Sequence, residues 1–115
     1  VFTNISAITS RCSSLHHNSY SCSSWYDILA SVGNYKDCIL HIPSLGINLM
    51  YGPGTVVTFS DHLLQHGVNS VEGNRYCLTY YMMDNIHNFI GVAKCDWIRM
   101  ENVEHLLLPN VNQNL

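Results

Sequence analysis

Charge is what this chain has least of. Asp, Glu, Lys and Arg make up 11% of its 115 residues, against about 25% in an average domain. Only five are Lys or Arg, and the formal net charge is −3. Tight binding to a nucleic-acid backbone rests on many basic side chains contacting phosphates, so this chain alone carries no strong nucleic-acid signal. No apolar run approaches the ~18 residues of a membrane span, which removes a membrane partner from the expectations. No signal-peptide pattern opens the sequence. The five cysteines (Cys12, Cys22, Cys38, Cys77 and Cys95) form no C-x-x-C pair. An odd count at irregular spacing argues for reduced thiols and an intracellular setting, and the sequon Asn4-Ile5-Ser6 does not outweigh it.

What is present is apolar. Hydrophobic residues account for 47% of the chain, too many for disorder, and the length suits one domain with one core over residues 1–115. The first residue is Val, so an upstream portion is expected to be missing. Low charge and a missing cover together predict a marginal, self-associating domain, with apolar surface exposed around Phe2 and Trp25.

Along the chain, short apolar stretches alternate with Gly, Pro and Asn signals. Residues 1–14 read as an edge strand or irregular lead-in, and residues 15–24 as a loop or strand start. Trp25 to Val32 reads as a core strand closed by a turn at Gly33-Asn34. Cys38 to Ile42 is a short strand, Gly46 to Tyr51 alternates as a half-buried strand should, and Gly52-Pro53-Gly54 is a tight turn before Val56 to Phe59. Asp61 to His66 is one helical turn or a twisted approach to the next strand. Tyr76 to Met83 is a strong strand, Phe89 to Ala93 one more, and Ile98 to Leu108 has a helical period. Short strands at this spacing indicate a sandwich or barrel. The fold class is therefore all-β, a double-stranded β-helix or jelly roll, expected to be incomplete, with a short C-terminal helix.

Three places could carry chemistry. His66 precedes a glycine at a strand start, from which an imidazole can reach a pocket at the sheet mouth; the bland reading is a partly buried histidine bonded to backbone. Arg75 offers a forked guanidinium that suits a carboxylate held bidentately; the bland reading is a strand-end Arg in solvent or paired with Glu72. His16 and Asn18 stand two apart, and residues i and i+2 of a strand share a face. An amide at position 18 supplies no charge to a metal. His41, His62, His87 and His105 have no partner at ligand spacing. Cys12, His16, His17 and Cys22 lack the paired spacing of structural zinc sites.

The run from Trp25 to Tyr81, with His16 ahead of it, resembles the 2-oxoglutarate/Fe(II) dioxygenases, and within them the TET/JBP-type group in its fungal form. The resemblance rests on Gly33-Asn34-Tyr35, Pro43, Leu45-Gly46-Ile47, Tyr51, Pro53-Gly54, Val56-Val57, Phe59, Leu63-Leu64, His66, Val68, Gly73, Arg75-Tyr76 and Tyr80, in order and at matching spacing over residues 16–81. It implies that His16 and His66 are iron ligands, that Asn18 stands where the family's H-x-D motif has its carboxylate, and that Arg75 holds the far carboxylate of 2-oxoglutarate. The cofactors implied are Fe(II) and 2-oxoglutarate, and the implied substrate is a modified base. The sequence also departs from the pattern. Asp37-Cys38 replaces a Gly-Gly pair and Thr55 replaces an Asp. Non-haem iron oxygenases bind their metal by two histidines and one carboxylate, so Asn18 makes a weak or inactive dioxygenase-like domain the first expectation. A non-catalytic jelly-roll binding module and a decayed fragment of a larger fungal protein are the alternatives.

Overall fold

The computed structural model describes residues 2–9 and 12–91. Eight strands follow one another: β1 (Asn4–Thr9), β2 (Ser13–His16), β3 (Asp27–Lys36), β4 (Ile39–Ile42), β5 (Ile47–Met50), β6 (Val56–Phe59), β7 (His66–Val68) and β8 (Glu72–Tyr81). A 3-10 turn at Pro43–Leu45 joins β4 to β5, and a short helix, α1 (Asp84–Ile90), follows β8. The strands form two antiparallel four-stranded sheets, ordered β1-β8-β3-β6 and β2-β7-β4-β5. The chain thus shuttles between the sheets, as in a jelly roll.

The core lies between the sheets: Leu29, Tyr35, Cys38, Leu40, Ile42, Tyr51, Phe59, Val68, Val71 and Cys77 are buried together. Alternation along the strands explains which side chains enter. On β3 the inward positions are Asp27, Leu29 and Ser31; on β8 they are Arg75, Cys77 and Thr79. Leu29 faces Thr79 and Ser31 faces Cys77 across the ladder. Apolar and polar side chains therefore share the same inward face. That mixture is the first sign of a site, because a buried polar group is costly unless it is satisfied.

Several local expectations are corrected. Gly33-Asn34 is not a turn; β3 runs straight through it and pairs with β8 up to Lys36. The glycine is there because the backbones approach closely: a Cβ at Gly33 would lie 2.2 Å from the Asn74 carbonyl oxygen, and one at Gly73 would lie 2.3 Å from that of Asn34. Likewise Gly73-Asn74 lies within β8 and does not bound it. β5 is exposed at all four positions and not half-buried. It is the edge strand of its sheet, and the chain enters the core only at the next residue, Tyr51, which is completely buried. Residues 89–90 belong to α1 and not to a strand. Asp84 in its first turn complements the helix dipole, and Gly91 ends it in the left-handed conformation, its N–H bonding to the His87 carbonyl. The expected helix from Ile98 to Leu108 lies outside the described residues.

The surface expectation is half corrected. Phe2 is exposed, but Trp25 is buried, its ring 4.2 Å from that of His87. The helix that the sequence reading missed is what covers it. Among the described residues no helix is long and apolar enough to cross a membrane.

Candidate functional site

Two strands of the β2-β7-β4-β5 sheet bring the histidines together. β2 and β7 pair with Ser13 opposite Val68 and His16 opposite His66. Three steps along β2 thus match two along β7, so β2 carries a bulge. A bulge re-aims a side chain, because one extra residue reverses the face on which the following residues stand. Here it sets His16 against His66, with ring centroids 4.4 Å apart. Gly67 makes the approach possible. A Cβ there would lie 2.8 Å from the Ser13 carbonyl oxygen and 3.0 Å from the Leu15 nitrogen. Gly67→Ala is expected to push β2 away, costing about 1–3 kcal/mol by overpacking. The check is a lowered melting temperature together with loss of the NOE between the two imidazoles.

Each imidazole is oriented in the same way. His16 Nδ1 is 2.8 Å from the Ser14 carbonyl oxygen, and His66 Nδ1 is 2.9 Å from that of Leu64. A carbonyl only accepts, so each Nδ1 carries a proton. Where the ring is neutral, its Nε2 is left with a lone pair, the tautomer that a metal ligand needs.

Both histidines line a cavity of about 390 Å³ that also takes in Asn18, Tyr51, Asp61 and Arg75. Its size suits a small organic ligand. Arg75 is buried and not in solvent. Its Nε donates to Ser31 Oγ at 3.0 Å, and its guanidinium carbon lies 5.2 Å from the centroid of the Tyr51 ring. Ser31 Oγ stands 2.7 Å from the Tyr35 hydroxyl, which donates to the Tyr51 carbonyl at 2.9 Å. This chain of bonds crosses from one sheet to the other and fixes the cation. Burial pushes the Tyr51 phenol and the Cys38 thiol up, and the guanidinium beside them works against that. Both stay protonated and neutral around it.

Asn18 reaches the cavity from the loop after β2. Its Oδ1 accepts from the Tyr20 N–H at 3.3 Å, a local turn bond, and its own N–H donates to the Asp61 carbonyl at 3.0 Å. The structure thus brings His16, His66, Asn18 and Arg75 to one cavity.

The sequence reading passed over Asp61. Its side chain is buried, and Oδ1 lies 3.0 Å from His66 Nε2. The contact is not an aligned hydrogen bond, since Asp61 Oδ1 has no hydrogen-bond partner. Behind it, the Asp61 N–H donates to Asp27 Oδ2 at 3.3 Å, and Ser21 Oγ lies 2.6 Å from both Asp27 oxygens. Burial pushes the Asp27 carboxyl up to about 6, partly offset by the Ser21 bond. Burial works to lower the pKa of His66, but the contacts with Asp61 and Leu64 and the charges of Asp61 and Asp27 outweigh it, and the net direction is up. No periodic signal marks Asp61, because the segment between β6 and β7 is a turn. Its one visible cue is a charged residue in a chain that has few.

Two histidines, a buried carboxylate and a buried guanidinium line one cavity, the kinds of group that a divalent iron and a dicarboxylate would need. As they stand, no group of three or more His, Cys, Asp or Glu side chains among the described residues meets closely enough to hold an ion. No curated protein matches the chain. The family model Tet_JBP, the oxygenase domain of the 2OGFeDO superfamily, matches residues 1–84, and the chain belongs to that family.

Proposed function

We propose that this domain binds Fe(II) through His16 and His66 and 2-oxoglutarate through Arg75, and that Asn18 leaves it a weak or inactive dioxygenase. The observation that supports this best is the ring contact of His16 and His66 on a cavity that Arg75 also lines. When bound, the iron and 2-oxoglutarate would supply oxidative hydroxylation of a substrate. The chain's own part is placement. The Ser14 and Leu64 carbonyls hold the two rings, and Ser31 holds the guanidinium where a carboxylate can meet it in a fork. Tyr51, Leu29 and Leu40 wall the cavity with apolar surface, which strengthens any ion pair made inside it.

The resemblance makes a modified base the first substrate class to test. With five basic residues, the chain offers few contacts for a phosphate backbone. The four described cysteines are free thiols, which supports a reducing, intracellular setting.

Asn18 is the residue on which activity turns. A neutral amide gives a metal no charge, and its oxygen is occupied by the Tyr20 N–H. Asn18→Asp is expected to tighten Fe(II) by about tenfold or more, since even the outer partners of metal ligands act on that scale. Anaerobic Fe(II) titration of both forms, followed by succinate release from 2-oxoglutarate, tests it. A wild-type protein that turns over 2-oxoglutarate as fast as the Asp variant would show that Asn18 is no lesion. If neither form binds iron, the non-catalytic binding module becomes the better reading.

A further inference from the structure

The cavity holds one buried carboxylate oxygen that no donor addresses in an aligned hydrogen bond. Asp61 Oδ1 is buried, faces the cavity and lacks a hydrogen-bond partner, although His66 Nε2 is only 3.0 Å away. In an ordinary Asp–His ion pair the ring N–H would point along that line. Here it does not, and the other ring nitrogen is the one anchored to a carbonyl. His66 Nε2 and the Asp61 carboxylate oxygen thus face a common point on the cavity wall. A metal ion bound by both atoms would take the place that a proton holds in an ion pair. Donors at right angles on one ion, with bonds of about 2.1 Å, stand about 3.0 Å apart, which is the separation found.

The position of Asp61 adds to this. The Asn18 N–H bonds to the Asp61 carbonyl, so residue 61 is the backbone neighbour of residue 18, which carries no charge. The Asp61 backbone is held from behind by Asp27, itself held by Ser21. This support orients a carboxylate, as the outer partners of metal ligands do.

We infer that Asp61 supplies the anionic ligand of the metal site, so that His16, His66 and Asp61 form a two-histidine, one-carboxylate set in which Asp61 stands in for residue 18. The inference rests on the metal-site reading above and changes one ligand in it. His66 and Asp61 already stand at ligand separation. His16, whose side chain is exposed, is the member that turns to close the set. Asp61 then accounts for the affinity that remains in the wild-type chain, which Asn18→Asp would raise further.

The test is anaerobic titration with Co(II), read by its visible absorption and by calorimetry, on the wild-type chain, Asp61→Asn, Asn18→Asp and the double variant. The expected result is one Co(II) bound by the wild type, a loss of about tenfold or more in Asp61→Asn, and recovery in the double variant, since position 18 would then carry the charge. Equal affinity in the wild type and Asp61→Asn would overturn the inference and leave the histidine site standing. So would a wild type that binds no Co(II) while Asn18→Asp does. If no form binds Co(II), the metal-site reading fails and this inference fails with it. Should Asp61→Asn not fold, Asp61→Glu takes its place, keeping the charge and moving the oxygen by one methylene. A shifted Co(II) spectrum then supports the assignment, and an unchanged spectrum overturns it.

Discussion

Arg75→Met is expected to weaken 2-oxoglutarate binding by about 100-fold or more, because truncating one partner of a buried charge pair costs roughly 2–5 kcal/mol. The size of the effect comes from burial. Arg75 is 5% exposed, so a carboxylate reaching it leaves water, and an apolar side chain in its place offers no hydrogen bond in return. Arg75→Lys should recover only part of the loss. An ammonium keeps the charge but cannot form the planar fork, and Ser31 Oγ would lose the Nε donor that now fixes the side chain. Calorimetric titration of 2-oxoglutarate into the Co(II)-loaded forms distinguishes these outcomes. Equal affinity in Arg75→Met and the wild type would remove Arg75 from the ligand site while leaving the two histidines in place.

Gly33→Ala should be among the most destabilising methyl additions in the described residues. Gly33 has φ of 127°, a region that side chains avoid. Its added Cβ would sit 2.2 Å from the Asn74 carbonyl oxygen, and the colliding atoms are backbone, which cannot rotate away. Positive-φ strain alone costs about 1–3 kcal/mol, and relieving the overlap requires β3 and β8 to part. A loss of about 3 kcal/mol or more is expected, equivalent to a fall of roughly 10 °C or more in melting temperature. Gly33 pairs directly with Arg75, so the same substitution should also displace the guanidinium. Thermal melts with and without 2-oxoglutarate would show both effects. A melting temperature within about 2 °C of the wild type would mean that the two strands tolerate separation and that the glycine pair does not set their spacing.

Much of this protein was legible from one dimension. Alternation within a strand is a local property, so Val56 to Phe59, Cys38 to Ile42 and the β8 segment were readable as strands, and their short spacing pointed to a jelly roll. The order of Gly, Pro, His and Arg motifs identified His16, His66 and Arg75 as residues to examine together. Their meeting at one cavity was decided elsewhere. His16 faces His66 only because β2 carries a bulge opposite Gly67, and register is a relation between two strands that neither sequence segment states alone. Gly33-Asn34 carries the composition of a turn, yet β3 runs through it. The close approach of β8 at Asn74 demands a glycine for packing, and a packing glycine and a turning glycine look alike in sequence. Asp61 was the least legible residue. It sits in a turn with no period to betray it, and its place beside His66 depends on through-space bonds to Asn18 and Asp27. The sequence by itself determined the centres of most sheet-forming segments and the types of chemical group available. The tertiary structure decided which of them share a cavity, because register, bulges and turn closure are set by contacts between residues far apart in the chain.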